Sequence, residues 1–165
     1  MGALAFGALA ARWAEPRDMV ILVAWFAALM VLLATDLDRR HLPDLLTLPL
    51  MPIALLLVVA GFDPLLEGSE LGLVSAIAAG IGAPIVLAAS SRLLRGGIGA
   101  GDLKLAVSLG LFSGASRLGA GVVLALAASS IVLMVLLVTR RLSRNSVIPF
   151  GPVLIAGGFL AALLG

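Results

Sequence analysis

The chain has 165 residues, 62% of them hydrophobic and 12% charged, with a mean hydropathy of +1.22, whereas a soluble domain carries about 25% charged and about 45–50% apolar residues. A globule of this length has too little interior to hide so many apolar side chains, so an ordinary soluble domain and a disordered chain are both excluded. The net charge of +2 arises without any basic tract, which gives nucleic-acid binding little support, and the absence of cysteine excludes disulfides, thiolate metal sites and cysteine nucleophiles within the chain.

Charge clusters and Pro/Gly punctuation divide the sequence into apolar stretches at 2–13, 19–35, 45–62, 71–91, 103–116, 118–138 and 147–164. The expectation is an all-α polytopic membrane helix bundle of about six to seven segments, a single domain over 1–165. The first stretch lacks the positively charged start of a secretory signal and reads as a short retained segment, interfacial or partly spanning. The fifth is short enough to begin inside a protein-lined cavity. With the loop at 36–44 on the cytoplasmic side, alternation puts Arg39, Arg40, Arg92, Arg95, Lys104, Arg140, Arg141 and Arg144 inside. Arg12, Arg17 and Arg117 fall outside, the asymmetry of the positive-inside rule, and so do the C-terminus and the acidic loop with Asp63, Glu67 and Glu70. Gly80, Gly82, Ala83, Gly110, Gly114, Gly119, Gly121, Gly157 and Gly158 read as packing positions where helix backbones approach closely in lipid.

In so apolar a chain the informative residues are ionisable groups at membrane depth or at its edge, where they are costly. Asp36 follows the run MVILVAWFAALMVLLAT and precedes LDRRHLPD, at the cytoplasmic end of a helix. Asp102 closes Gly99-Ala100-Gly101-Asp102 and begins the helix LKLAVSLGLFSG, on the same side. Two carboxylates converging from different helices share one proton and form a hydrolytic pair: one draws a proton from water while the other polarises a scissile carbonyl. Such chemistry calls for no metal or cofactor. Structural readings stand beside it. Asp102 also suits a helix N-cap, and Asp36 an interfacial residue paired with Arg39 or Arg40. Gly99 and Gly101, after Gly96 and Gly97, remove side chains where the backbone must bend sharply and another chain lies close to a carboxylate.

Three segments match a known pattern. Asp36-Leu37-Asp38-Arg39-Arg40-His41-Leu42-Pro43-Asp44-Leu45-Leu46-Thr47 resembles the first signature of the type IV prepilin peptidases, an aspartate followed by a hydrophobic-Pro-Asp/Asn step. Gly99-Ala100-Gly101-Asp102-Leu103-Lys104-Leu105 resembles their GxGD motif with its lysine, and Ile148-Pro149-Phe150-Gly151-Pro152 their Pro-Phe-Gly-Pro segment. The resemblance implies a polytopic aspartic endopeptidase of a prokaryotic inner membrane, cutting the leader from prepilins or pseudopilins at the cytoplasmic face. Asp36 and Asp102 would be its catalytic pair. Asp38 competes for the first role, but the spacing to Pro43 favours Asp36. Asp44 reads as a cap or substrate contact. Lys104 reads as an interfacial positive-inside lysine, with orienting Asp102 or meeting an acidic substrate residue as the alternatives. His41 is expected in solvent, and Pro149 and Pro152 bracket a break in the last helix. Larger members carry a cysteine-rich zinc-binding insert and methylate the product. This cysteine-free chain is expected to be a peptidase-only form or a fragment corresponding to the peptidase part. The alternatives are a membrane scaffold of pilus or secretion assembly, in which the aspartates only cap helices and pair with arginines, and another GxGD intramembrane protease. The latter pairs its aspartate with a Tyr-Asp motif, and this chain has no tyrosine.

Overall fold

The computed structural model describes residues 7, 13, 15–39, 43–66, 71–93, 99–138 and 151–164, and every regular element among them is helical. The helices are α1 (Pro16–Arg39), α2 (Asp44–Val59), α3 (Gly72–Leu93), α4 (Ala100–Val138) and α5 (Gly151–Leu164). Pro16–Asp36, Gly72–Arg92 and Ala100–Ala128 are long and apolar enough to cross a membrane, while α2 and α5 are shorter apolar helices. The chain is therefore an all-α membrane protein, as its composition requires. The expected count of six to seven segments resolves into five helices among the described residues. The stretches at 103–116 and 118–138 correspond to the two arms of α4, which is interrupted at Gly114, and of 2–13 only Gly7 and Trp13 lie among the described residues.

Two glycines set the local geometry of these elements. α2 begins at Pro43, whose extended backbone (φ −69°, ψ 129°) leaves its carbonyl to accept the Leu46 and Thr47 N–H groups. It ends in a Schellman motif, in which Gly61 takes φ +70°, its N–H bonds the Val58 carbonyl, and the Phe62 N–H bonds the Leu57 carbonyl. In α4 the interruption comes at Gly114 (φ 66°, ψ 174°), three residues before the charge of Arg117 that marks it in the sequence. Glycine alone takes that backbone conformation without penalty, so it decides where the helix breaks. The Ala115 N–H, deprived of its helical partner, donates instead to Ser75 Oγ of α3 at 2.9 Å.

Close approach of α3, α4 and α5 follows from missing side chains. A Cβ on Gly110 would lie 2.5 Å from the Ala79 carbonyl, and one on Gly121 would strike the backbone of Gly157 and Ala161. Gly157 meets Val122 from the arm of α4 after the break, and Gly158 meets Leu109 from the arm before it, so both arms grip the same turn of α5. Gly82 and Gly119 depart from the packing expectation: nothing lies within 4 Å of a Cβ built on either. They line an apolar hollow of about 480 Å³ between α3 and the two arms of α4.

At the end of the bundle near the break, Asp63 is buried in the α2–α3 connection, with Oδ1 accepting the Leu65 N–H at 2.9 Å. Desolvation pushes its carboxyl up from 3.8 to about 7, against the lowering influence of the Leu65 N–H, Arg117 and the Leu66 N–H. The folded chain thus holds this proton more tightly than the unfolded chain does. Its contribution to stability is full below the unfolded value of 3.8 and is lost as pH rises through about 7. Asp63→Asn keeps the acceptor and removes the ionisation. Denaturation in detergent across pH 4–8 is expected to show a decline for the wild type and a flatter profile for the variant, and equal slopes would refute the assignment.

Candidate active site

The buried face of α1 is a single stripe. Asp18, Leu22, Trp25, Leu29, Leu32 and Asp36 are all buried and recur at alternating steps of four and three residues. That period keeps one line of side chains turned to the same neighbours, so Asp36 continues an internal face. It is 6% exposed, and its Oδ2 has no hydrogen-bond partner among the described residues. Asp38 lies off the stripe and is exposed. The same stepping runs down the first arm of α4 through Asp102, Leu105, Leu109 and Phe112, the last three fully buried and Asp102 half-buried.

The two stripes run antiparallel and meet at an aromatic contact, while α1 packs mainly against α5. Trp25 stacks on Phe112 with ring centroids 4.1 Å apart and planes 13° from parallel. One step further, Leu29 and Leu109 converge on Gly158 of α5. Continued by helical periodicity, both stripes lead from these contacts toward their aspartates, Asp36 on α1 and Asp102 on α4. From the stacked rings, Asp36 lies about 16 Å along α1 and Asp102 about 15 Å along α4, at a rise of 1.5 Å per residue. Both aspartates thus fall toward the same end of the bundle. None of the anchoring apolar residues is picked out by the sequence reading, because Trp25, Leu29, Leu109 and Phe112 lie in unbroken apolar runs.

The start of α4 positions Asp102. Gly99 precedes the first helical residue, and its carbonyl accepts the Asp102 and Leu103 N–H groups at 3.1 and 3.4 Å. The Asp102 carboxylate reaches back to the Gly99 N–H, the acidic half of a capping box. Asp102 therefore caps from inside the first turn and does not occupy the N-cap position itself. Neither Gly99 nor Gly101 has positive φ, Gly101 is helical, and a Cβ on Gly99 would be in ordinary contact with Asp102 Oδ2 at 3.7 Å.

Across from this turn lies the start of α2. Pro43 is its N-cap residue, and Asp44, in the first turn, accepts a hydrogen bond from Lys104 Nζ at 2.6 Å. Lys104 thereby links the GxGD segment to the segment that follows Asp36, a contact across sixty residues that spacing does not reveal. Thr47, one turn further along α2, is completely buried, with its hydroxyl on the Pro43 carbonyl at 3.4 Å. Pro152 falls in the first turn of α5, where its missing N–H costs nothing. Arg40, His41, Leu42, Arg95, Gly96, Gly97, Pro149 and Phe150 lie outside the described residues.

Comparison with known proteins gives a consistent result. A family model described as the type IV leader peptidase family matches residues 21–139. The prepilin leader peptidase/N-methyltransferase of Burkholderia pseudomallei (strain 1026b) is 36% identical over 166 aligned residues, covering 99% of this chain and 52% of that protein. Proteins of the same name from Bacillus subtilis (strain 168) and Neisseria gonorrhoeae are 27% and 34% identical, over 97% and 81% of this chain and 62% and 45% of their own lengths. The chain spans about half the length of the curated relatives it matches. No solved structure matches it.

Proposed function

The chain belongs to the type IV leader peptidase family, and from that premise we propose that it cleaves the leader from a prepilin or pseudopilin at the cytoplasmic face of a prokaryotic inner membrane, with Asp36 and Asp102 as an aspartic pair. The observation that supports this reading is a buried aspartate, Asp36, ending the internal stripe of α1, on a helix joined to the Asp102-bearing α4 by the stacking of Trp25 on Phe112. Asp36 and Asp102 have shorter side chains than the leucines and aromatic rings beneath them.

In the proposed reaction the ionised carboxylate takes a proton from water as its oxygen adds to the scissile carbonyl carbon. The protonated partner donates to the carbonyl oxygen. Collapse of the tetrahedral adduct breaks the C–N bond: the departing amine takes up the proton that water lost, and one hydroxyl of the adduct returns its proton to the second carboxylate as C=O re-forms. The pair titrates as a unit, so base and acid are roles of the couple. The substrate approaches from the lipid as an apolar helix with its leader in the cytoplasm. The names of the relatives also carry an N-methyltransferase activity; the proposal concerns proteolysis alone, because the residues supporting it are the two aspartate segments.

A scaffold reading accounts for Asp102, whose carboxylate caps the turn at Gly99, and gives Asp36 the arginines Arg39 and Arg40, whose side chains lie outside the described residues; among the described residues the buried Asp36 Oδ2 is unpartnered. The test is direct. Purified protein in detergent or liposomes, incubated with a prepilin, is expected to release a leader of defined mass that begins at the substrate's N-terminus. An intact substrate after prolonged incubation with folded protein would overturn the reading.

A further inference from the structure

Lys104 stands where helix electrostatics disfavours it. The N-terminus of a helix carries partial positive charge, and a cation in the first turn gains nothing from it. The Lys104 ammonium, carried by the fifth residue of α4 just past that turn, lies 2.6 Å from the Asp44 carboxylate, which occupies the first turn of α2. The pair is open to solvent, with side chains 29% and 58% exposed, and an exposed pair contributes little to stability. Its consequence is geometric. The turn that carries Asp102 packs into the core through Leu103 alone of its apolar side chains: Gly99 and Ala100 are exposed, and glycine at 99 and 101 supplies no side chain. Lys104 is two residues beyond Asp102 and ties this turn to α2. The buried face of α2, Thr47, Leu50, Ala54 and Val58, holds that helix in the bundle.

We propose that the Lys104–Asp44 pair is a positioning latch: it fixes the first turn of α4 on α2, and so holds Asp102 in place relative to Asp36. The proposal rests on the peptidase reading for its effect on rate, and on the fold alone for its effect on distance. A latch that orients a catalytic group lowers kcat when broken and leaves KM in place.

Because the chain has no cysteine, spin labels on Ala34→Cys of α1 and Ala100→Cys of α4 report the separation of the two aspartate-bearing helices unambiguously. Lys104→Ala and Asp44→Ala are each expected to broaden that distance distribution and to lower kcat about tenfold with KM unchanged. Lys104→Arg restores both readouts, and the double alanine variant is no slower than either single, as required of residues acting as one unit. An unchanged distance distribution in Lys104→Ala overturns the latch, as does an additive loss of about a hundredfold in the double variant. A broadened distribution in Lys104→Ala, with a wild type that fails to cleave prepilin, upholds the latch and refutes the peptidase reading instead.

Discussion

Asp36→Asn and Asp102→Asn each lower the single-turnover rate of leader cleavage by about 10³-fold or more, and the double variant is no slower than either single. The size of the effect follows from the chemistry proposed for the pair. An amide neither takes a proton from water nor donates one to the carbonyl oxygen as a carboxylic acid does, so either change removes the shared proton on which both roles depend. The fold is expected to survive both. In Asp102→Asn the amide oxygen still accepts the Gly99 N–H, preserving the start of α4. Asp36→Asn replaces a buried group that has no hydrogen bond to Oδ2 among the described residues, so no such bond is lost there. Asp38→Asn is the internal control: it lies off the buried stripe, is exposed, and is expected to retain most activity. Helical content by circular dichroism and elution volume in detergent separate a catalytic loss from a misfolded chain. Near-wild-type cleavage by either asparagine variant sinks the mechanism, and loss in Asp38→Asn alone would transfer the first role to that residue.

Valine at Gly110 or Gly121 is expected to cost about 3 kcal/mol of stability, the upper end of ordinary overpacking, because the obstacle in each case is backbone that cannot rotate away. At Gly110 the added carbon meets the Ala79 carbonyl and the Gly80 nitrogen, and at Gly121 it meets the Gly157 carbonyl and the Ala161 nitrogen. Either insertion must push α4 off α3 or α5. Alanine at Gly82 or Gly119 meets nothing within 4 Å, and its effect is expected to stay within about 1 kcal/mol, the scale of helix propensity. Titration of the purified protein from mild detergent into sodium dodecyl sulfate, followed by circular dichroism, measures all four. Equal midpoints across the set would mean that the helices do not approach as closely as these glycines allow.

The contrast among those glycines shows what pattern reading does and does not resolve. All of them occupy apolar stretches, and a small residue beside a neighbouring helix has the same sequence context as one beside an open hollow. Gly110 and Gly121 are separated from Gly82 and Gly119 only by what α3, α4 and α5 place opposite them. The break in α4 behaves similarly. Arg117 is the visible interruption of the apolar run, yet the backbone turns at Gly114, where the Ser75 hydroxyl accepts the Ala115 N–H and the left-handed conformation is affordable. The Lys104–Asp44 contact was legible as two charged residues within two motifs, while their pairing depends on how α2 and α4 lie side by side.

By itself the sequence determined the membrane environment, the helical class and the family, because those follow from apolar content, from the backbone's need to satisfy its hydrogen bonds in lipid, and from three short motifs in order. It also singled out Asp36 and Asp102, since a carboxylate stands out where nearly every neighbour is apolar. What only the tertiary structure decided is which face of each helix looks inward, and hence that Asp36 ends a buried stripe and lies toward the same end of the bundle as Asp102. In water a buried stripe announces itself by the polar residues beside it. In lipid the outer face is as apolar as the core, so the line from Leu22 to Leu32 is indistinguishable from its surroundings. Only its ionisable ends, Asp18 and Asp36, betray its direction, and only the contact of Trp25 with Phe112 sets its register.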